Sequence, residues 1–451
     1  MSAPNLTEVS KKFLMLNPVN ATSGGQYSSN SGLPLIKFDV SSADMPTLLD
    51  LTNLRISGKI TVNTAAGAAI TNTHHHFYDG MCGRFSNLVD MVTVSSKRLN
   101  QVVERVNNYS RIVPSLVSGL HNANDINTAL YHEGDHVSTT FLGRHIVAAG
   151  SGTPAAPGGK SFSAPLYCGV LNSGQDLDIS KNGLGGLVIE ILLKPSVGCI
   201  FGAEASASGD VVVLSDLVLT VPQYELSGSM AQSRMAQQNQ YNFNSLSSIF
   251  QVINSSTSVV AFTPGLSRVS SIFMNFINTN EIGNQLYNSC RLGNIGQVRE
   301  LRFSKNGRLY PISFRLETDE RDNDALSTDN TYRARCMIDR NYIEALNVKR
   351  YNDTNRTSLA WNDWESGVVN RSQTQNNDGT EPGTADGFGV LFDAYGSGED
   401  LSQTIWSFEV ETSGVAADGL DGSAANSQGV YVVMLNKNTI FMNANGIEVQ
   451  R

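Results

Sequence analysis

The sequence is short of charge, and its cysteines do not read as a disulfide framework. Five cysteines (Cys82, Cys168, Cys199, Cys290, Cys336) are scattered singly. No CxxC pair or metal-ligand spacing occurs among them, which speaks against a disulfide scaffold. Reduced, buried thiols in a protein made inside a cell are expected. Charged residues make up only 16%, against roughly 25% in ordinary soluble domains. Basic runs are missing beyond short pairs such as Lys11-Lys12, and the formal net charge is −9. Wrapping nucleic acid needs a basic face that releases counterions, so neither genome packaging nor sequence-specific nucleic-acid binding is expected. The stretch Met1–Thr7 lacks a basic region leading into an apolar core, and no secretory signal is expected. No apolar run is long enough to cross a bilayer.

Hydrophobic residues, by contrast, reach 40% of 451 positions, enough for two cores of roughly 200 residues each. Asn, Ser, Thr and Gly fill the place of charge. Such a surface costs little to desolvate when copies pack side by side. Strand signals dominate. Leu54, Ile56, Gly58, Ile60 and Val62 alternate with Arg55, Ser57, Lys59 and Thr61, a period of two with one face buried. Ile36, Phe38 and Val40 alternate likewise, as do Thr404, Trp406, Phe408 and Val410. Leu187–Leu193 and Val211–Val221 are longer apolar strands. Asn306-Gly307, between two such segments, is a two-residue hairpin signal.

Helical periodicity is confined to two places. One covers Lys97–Val113, with Leu99, Val102, Val103, Val106, Tyr109 and Val113 on one stripe, Ser95 or Ser96 as cap and Pro114 as terminator. The other covers Thr331–Asn347. A weak internal repeat frames them. Ser173-Gly-Gln-Asp-Leu177 in the first half matches Ser397-Gly-Glu-Asp-Leu401 in the second. Each follows its half's helix at a similar distance and precedes an alternating strand. The reading is an all-β chain of two consecutive eight-stranded jelly rolls, each with a short helix in a long inter-strand connection. Its parts are an N-terminal arm (1–32), a first jelly roll (33–226), a linker (227–240) and a second jelly roll (241–451).

Several segments in this order resemble the double jelly-roll major capsid proteins of the adenovirus-hexon lineage, closest to those of polinton-like viruses and virophages. They are Gln101–Tyr109, Ala164–Ser173, Leu214–Glu225, Phe262–Phe273, and Val430–Met434 through Gly446–Val449. The resemblance spans about residues 33–449. It implies a structural protein of the virion, assembled inside the host cell. Homotrimeric, pseudo-hexameric capsomers would tile an icosahedral shell, with the N-terminal arm facing inward. Implied partners are further copies of the chain, a penton protein at the vertices, minor capsid proteins and, in some of the lineage, an internal membrane.

Some residues carry chemistry in other settings. His132-Glu133-Gly134-Asp135-His136 is a literal HExxH. Zinc-peptidase chemistry needs both histidines on one helical face, with the glutamate activating a bound water. Gly134 and Asp135 are poor helix formers, and Val137–Phe141 reads as strand. A zinc metallopeptidase is therefore the lesser alternative, as is an extracellular carbohydrate-binding β-sandwich, which should carry a signal sequence and paired cysteines. His74-His75-His76 with Asp79 reads as a loop run. Trp406 falls on the inward face of its strand, whereas Trp361 and Trp364 lie in a long loop suited to a glycan or a neighbouring molecule. No catalytic, cofactor-binding or metal-ligating residue is assigned.

Overall fold

Alternation becomes strand wherever the described chain can be followed. The computed structural model describes residues 9–20, 24–29, 33–41, 47–63, 75–77, 83–113, 160–173, 177–179, 184–196, 199–202, 211–226, 240–253, 257–279, 298–309, 315–317, 387–392, 398–412, 428–443 and 446–450. The first half supplies β1 (Val9–Leu16), β2 (Leu35–Ser41), β3 (Thr47–Leu49), β4 (Arg55–Asn63), β5 (His75–Phe77), β6 (Val89–Ser96), β7 (Val102–Val106), β8 (Lys160–Ala164), β9 (Leu177–Asp178), β10 (Gly186–Leu193), β11 (Ile200–Gly202) and β12 (Val211–Leu226). The second half supplies β13 (Gln240–Ile253), β14 (Thr257–Phe262), β15 (Val269–Asn278), β16 (Val298–Lys305), β17 (Arg308–Leu309), β18 (Arg315–Glu317), β19 (Gly387–Leu391), β20 (Trp406–Thr412), β21 (Gln428–Asn443) and β22 (Gly446–Gln450).

These strands form two sandwiches with one wiring. The first pairs a sheet ordered β8-β4-β12-β3-β9, with β1 added on β12, against a sheet ordered β2-β10-β6-β7. The second pairs β13-β21-β15-β19, with β22 on β21, against β14-β20-β16-β17, with β18 on β16. Strand for strand, β2, β10, β6 and β7 correspond to β14, β20, β16 and β17. Likewise β8, β4, β12 and β1 correspond to β19, β15, β21 and β13. The sequence repeat is thus a repeat of topology. Leu177 and Leu401, the last residues of the two matching pentapeptides, are each completely buried. Each sits just ahead of a central strand, β10 or β20, and anchors it to its core.

The alternating residues land as expected. Ile36, Phe38, Val40 and Ile56 are fully buried, as are Trp406 and Phe408. Asn306 and Gly307, at φ 51° and 75°, make the tight turn between β16 and β17, a geometry that favours Asn and Gly. A short helix, α1 (Gly83–Leu88), plugs the first sandwich, with Phe85 stacked on Phe162 at 4.7 Å.

The helix expected over Lys97–Val113 is corrected. Only Tyr109–Val113 of it is helical. Val102–Val106 is strand β7, paired with β6 through a hairpin in which Asn100 takes φ 54°. Three β-branched valines in five residues favour a pleated surface, and their spacing imitates a helical stripe. Leu99, counted on that stripe, is 43% exposed in the turn. Ser96 caps nothing; its hydroxyl donates to the Leu184 carbonyl at 2.7 Å. The segment 1–32, expected as an arm, contributes strand β1 and a buried Tyr27 to the first sandwich. The second expected helix, Thr331–Asn347, lies outside the described residues.

Candidate functional site: the seam between the sandwiches

Sheet β13-β21-β15-β19 is buried on both faces. Along β21, Val430, Val432 and Met434 belong to the second core. Val433 and Leu435, together with Leu246 and Phe273, join a cluster continuous with the first core. This explains the unbroken apolar run Val430–Leu435. A strand covered on one side alternates, and one covered on both cannot. The two sandwiches therefore share a hydrophobic seam.

At the seam sits one carboxylate. The ladder between β6 and β7 shifts between Val94 and Ser95, leaving an extra residue on β7, and consecutive Val103 and Glu104 are both buried. Bulges of this kind re-aim a side chain. Glu104 Oε1 accepts from the backbone N–H of Gly169 at 3.0 Å and from Ser245 Oγ of β13 at 2.8 Å. Its Oε2 accepts from the Val170 N–H at 2.8 Å. Three donors thus converge on a group that is 2% exposed. Hydrogen bonds to a charged acceptor favour its ionised form, each contributing about 1.5–3 kcal/mol.

The loop carrying Gly169 is itself fixed. Tyr109 Oη accepts from the Tyr167 N–H at 2.7 Å, and Asn172 Nδ2 donates to the carbonyls of Leu166 and Cys168. From the other sandwich, Tyr241 Oη donates to the Val170 carbonyl at 2.8 Å and shares a hydrogen bond with Ser173 Oγ. Further along, Asn108 Nδ2 donates to Ser248 Oγ at 3.1 Å. Approach is closest at Gly169, where a Cβ would stand 1.5 Å from the Asn244 carbonyl oxygen. Cys168, next to it, is fully buried. Burial first, and the nearby Glu104 charge second, push its thiol well above the ordinary value, so it stays protonated and unreactive.

Of the residues singled out in the sequence, His75 and His76 lie on β5, paired with Gly202 and Phe201 of β11. His74, Asp79, the His132–His136 string, Trp361 and Trp364 lie outside the described residues. Trp406 is in the second core, edge-on to Phe392 at 5.1 Å between ring centroids. Among the described residues no group of three His, Cys, Asp or Glu side chains gathers as a metal site would require. Glu104 escaped the sequence reading, because the helical stripe placed it on a polar face.

No family model matches the sequence, and no curated protein does. Its shape, however, is matched among solved structures over the whole chain. The PBCV-1 virus capsid protein superposes with a TM-score of 0.57 at 10% identity, covering 100% of this chain and 98% of that one. The fold is a double jelly roll. A chain of the Sputnik virophage gives a TM-score of 0.56 at 9% identity, covering 100% and 90%. The mavirus major capsid protein gives 0.50 at 9% identity, covering 100% and 91%. In this double jelly roll the seam fixes one roll against the other.

Proposed function

We propose that the chain is a major capsid protein, a structural component of an icosahedral virion that acts by self-assembly and catalyses nothing. Three copies associate into a capsomer whose six jelly rolls give a pseudo-hexagonal outline, and capsomers tile the shell. The functional units are a first roll over 33–226, to which β1 and Tyr27 of the N-terminal segment add, a linker over 227–240 and a second roll over 241–451. A penton protein and minor capsid proteins are the partners this role calls for, with an internal membrane in some of the lineage.

The observation that carries the reading is the seam. Two like-wired sandwiches locked side by side make a rigid, two-lobed brick, and threefold repetition of such a brick yields six near-equivalent lobes. A closed threefold ring needs a heterologous contact, and an obligate one buries on the order of 2,000–5,000 Å². Low surface charge supports it, since uncharged polar groups are cheaper to desolvate than ions. Light scattering after size exclusion tests the reading. The expected mass is three times the 48.6 kDa chain, and a strictly monomeric species at high concentration overturns it.

A further inference from the structure

We propose that the outer face of β1 is one half of the contact between copies, and that the hairpin tip around β17 of the neighbouring copy is the other half. This rests on the capsomer reading above and names its surfaces.

The repeat of topology supplies the argument. In the second roll, β13 is the outermost strand on the closing strand β21, and it is covered by the first roll over Asn244–Ser248, while Phe250 and Val252 beyond stay exposed. Its Ser245, Ser248 and Asn244 carbonyl oxygen meet Glu104, Asn108 and Gly169 of the first roll. In the first roll, β1 holds the corresponding place on β12. There Leu14 and Leu16 pack against the core, but Phe13 and Met15 are 63% and 72% exposed. Lys11 Nζ lies over the rings of Phe13 and Tyr224 at 5.4 and 5.5 Å, extending the strip. Two large apolar side chains on the open edge of a sheet invite a partner.

The same correspondence identifies that partner. The first roll receives β13 with β7, whose counterpart in the second roll is β17. At β17 lies another exposed apolar pair, Leu309 at 46% and Ile405 at 57%. The turn residue Asn306 holds Ile405 at the hairpin tip: its N–H donates to the Ile405 carbonyl at 2.8 Å, and its Oδ1 accepts from the Ile405 N–H at 2.9 Å. The seam that joins roll one to roll two within a chain is thus repeated, roll two to roll one, between chains. Such a contact is heterologous and closes at three.

The test compares oligomeric state by light scattering across variants. Phe13→Ser/Met15→Ser and, separately, Leu309→Ser/Ile405→Ser should each raise the trimer dissociation constant about tenfold or more, with circular dichroism unchanged. Val259→Ser serves as control, since Val259 is 66% exposed but lies on β14, counterpart of a strand that takes no part in the seam. It should remain trimeric. The double variant Met15→Cys/Leu309→Cys should give disulfide-linked trimers on oxidation. A wild-type trimer that survives both serine pairs and yields no cross-link overturns this assignment and leaves the capsid reading standing. A monomeric wild type overturns both. Flotation of the protein with phosphatidylglycerol vesicles, or retention of DNA, lost in Phe13→Ser/Met15→Ser while the trimer persists, would assign the strip to lipid or nucleic acid and overturn the proposal.

Discussion

Gly169→Ala places one methyl group where the two rolls touch. The new Cβ would lie 1.5 Å from the Asn244 carbonyl oxygen and 2.5 Å from its carbon, both backbone atoms that cannot rotate away. Ordinary contact begins at 3.4 Å, so the seam must open locally by nearly 2 Å. That displacement carries two cross-seam bonds, Ser245 to Glu104 and Tyr241 to Val170, each 2.8 Å long, beyond hydrogen-bonding range. Loss of one bond to a buried charge and one neutral bond costs about 3–5 kcal/mol with the unsatisfied acceptors included. Differential scanning calorimetry should show a melting temperature lower by at least about 5 °C and a transition that splits as the rolls uncouple. A variant melting within about 1 °C of wild type, in one transition, would show that the seam is not close-packed at Gly169.

Glu104→Gln keeps the shape but sets an amide donor against at least one of the three donors now satisfied, and should cost about 2–4 kcal/mol, read by denaturant titration. Cys168 should resist alkylation in the native protein at pH 8 and react only after denaturation, as peptide mass mapping can follow. Because its folded pKa lies above the unfolded 9.0, its contribution is complete below that pH. It is lost as pH rises above 9, where the unfolded chain ionises and the folded one does not. Trp406→Ala, at a fully buried site, should destabilise the second roll by about 3–5 kcal/mol, measurable as an earlier first unfolding transition.

How legible all this was in the sequence depended on how many faces each strand buries. β2 and β4 bury one face, so Ile36, Phe38, Ile56 and Ile60 spell out a period of two. The Asn306-Gly307 turn is local chemistry and needs no tertiary knowledge. β7 misled, because three valines in five residues sit as readily on a helical stripe as on a strand, and only pairing with β6 decides. β1 was invisible for a related reason: Val9–Leu16 is held by β12, some 200 residues away, and its Phe13 and Met15 face outward. Glu104 was the hardest. A glutamate gives no sign in sequence of burial when its three donors come from two distant segments, Gly169–Val170 and Ser245.

The central claim is that two locked jelly rolls act as one brick in a threefold assembly. Electron microscopy of the purified full-length protein tests it most directly. Particles should average to threefold rings with six lobes of pseudo-hexagonal outline. Isolated two-lobed monomers, at concentrations where assembly ought to be complete, would contradict it.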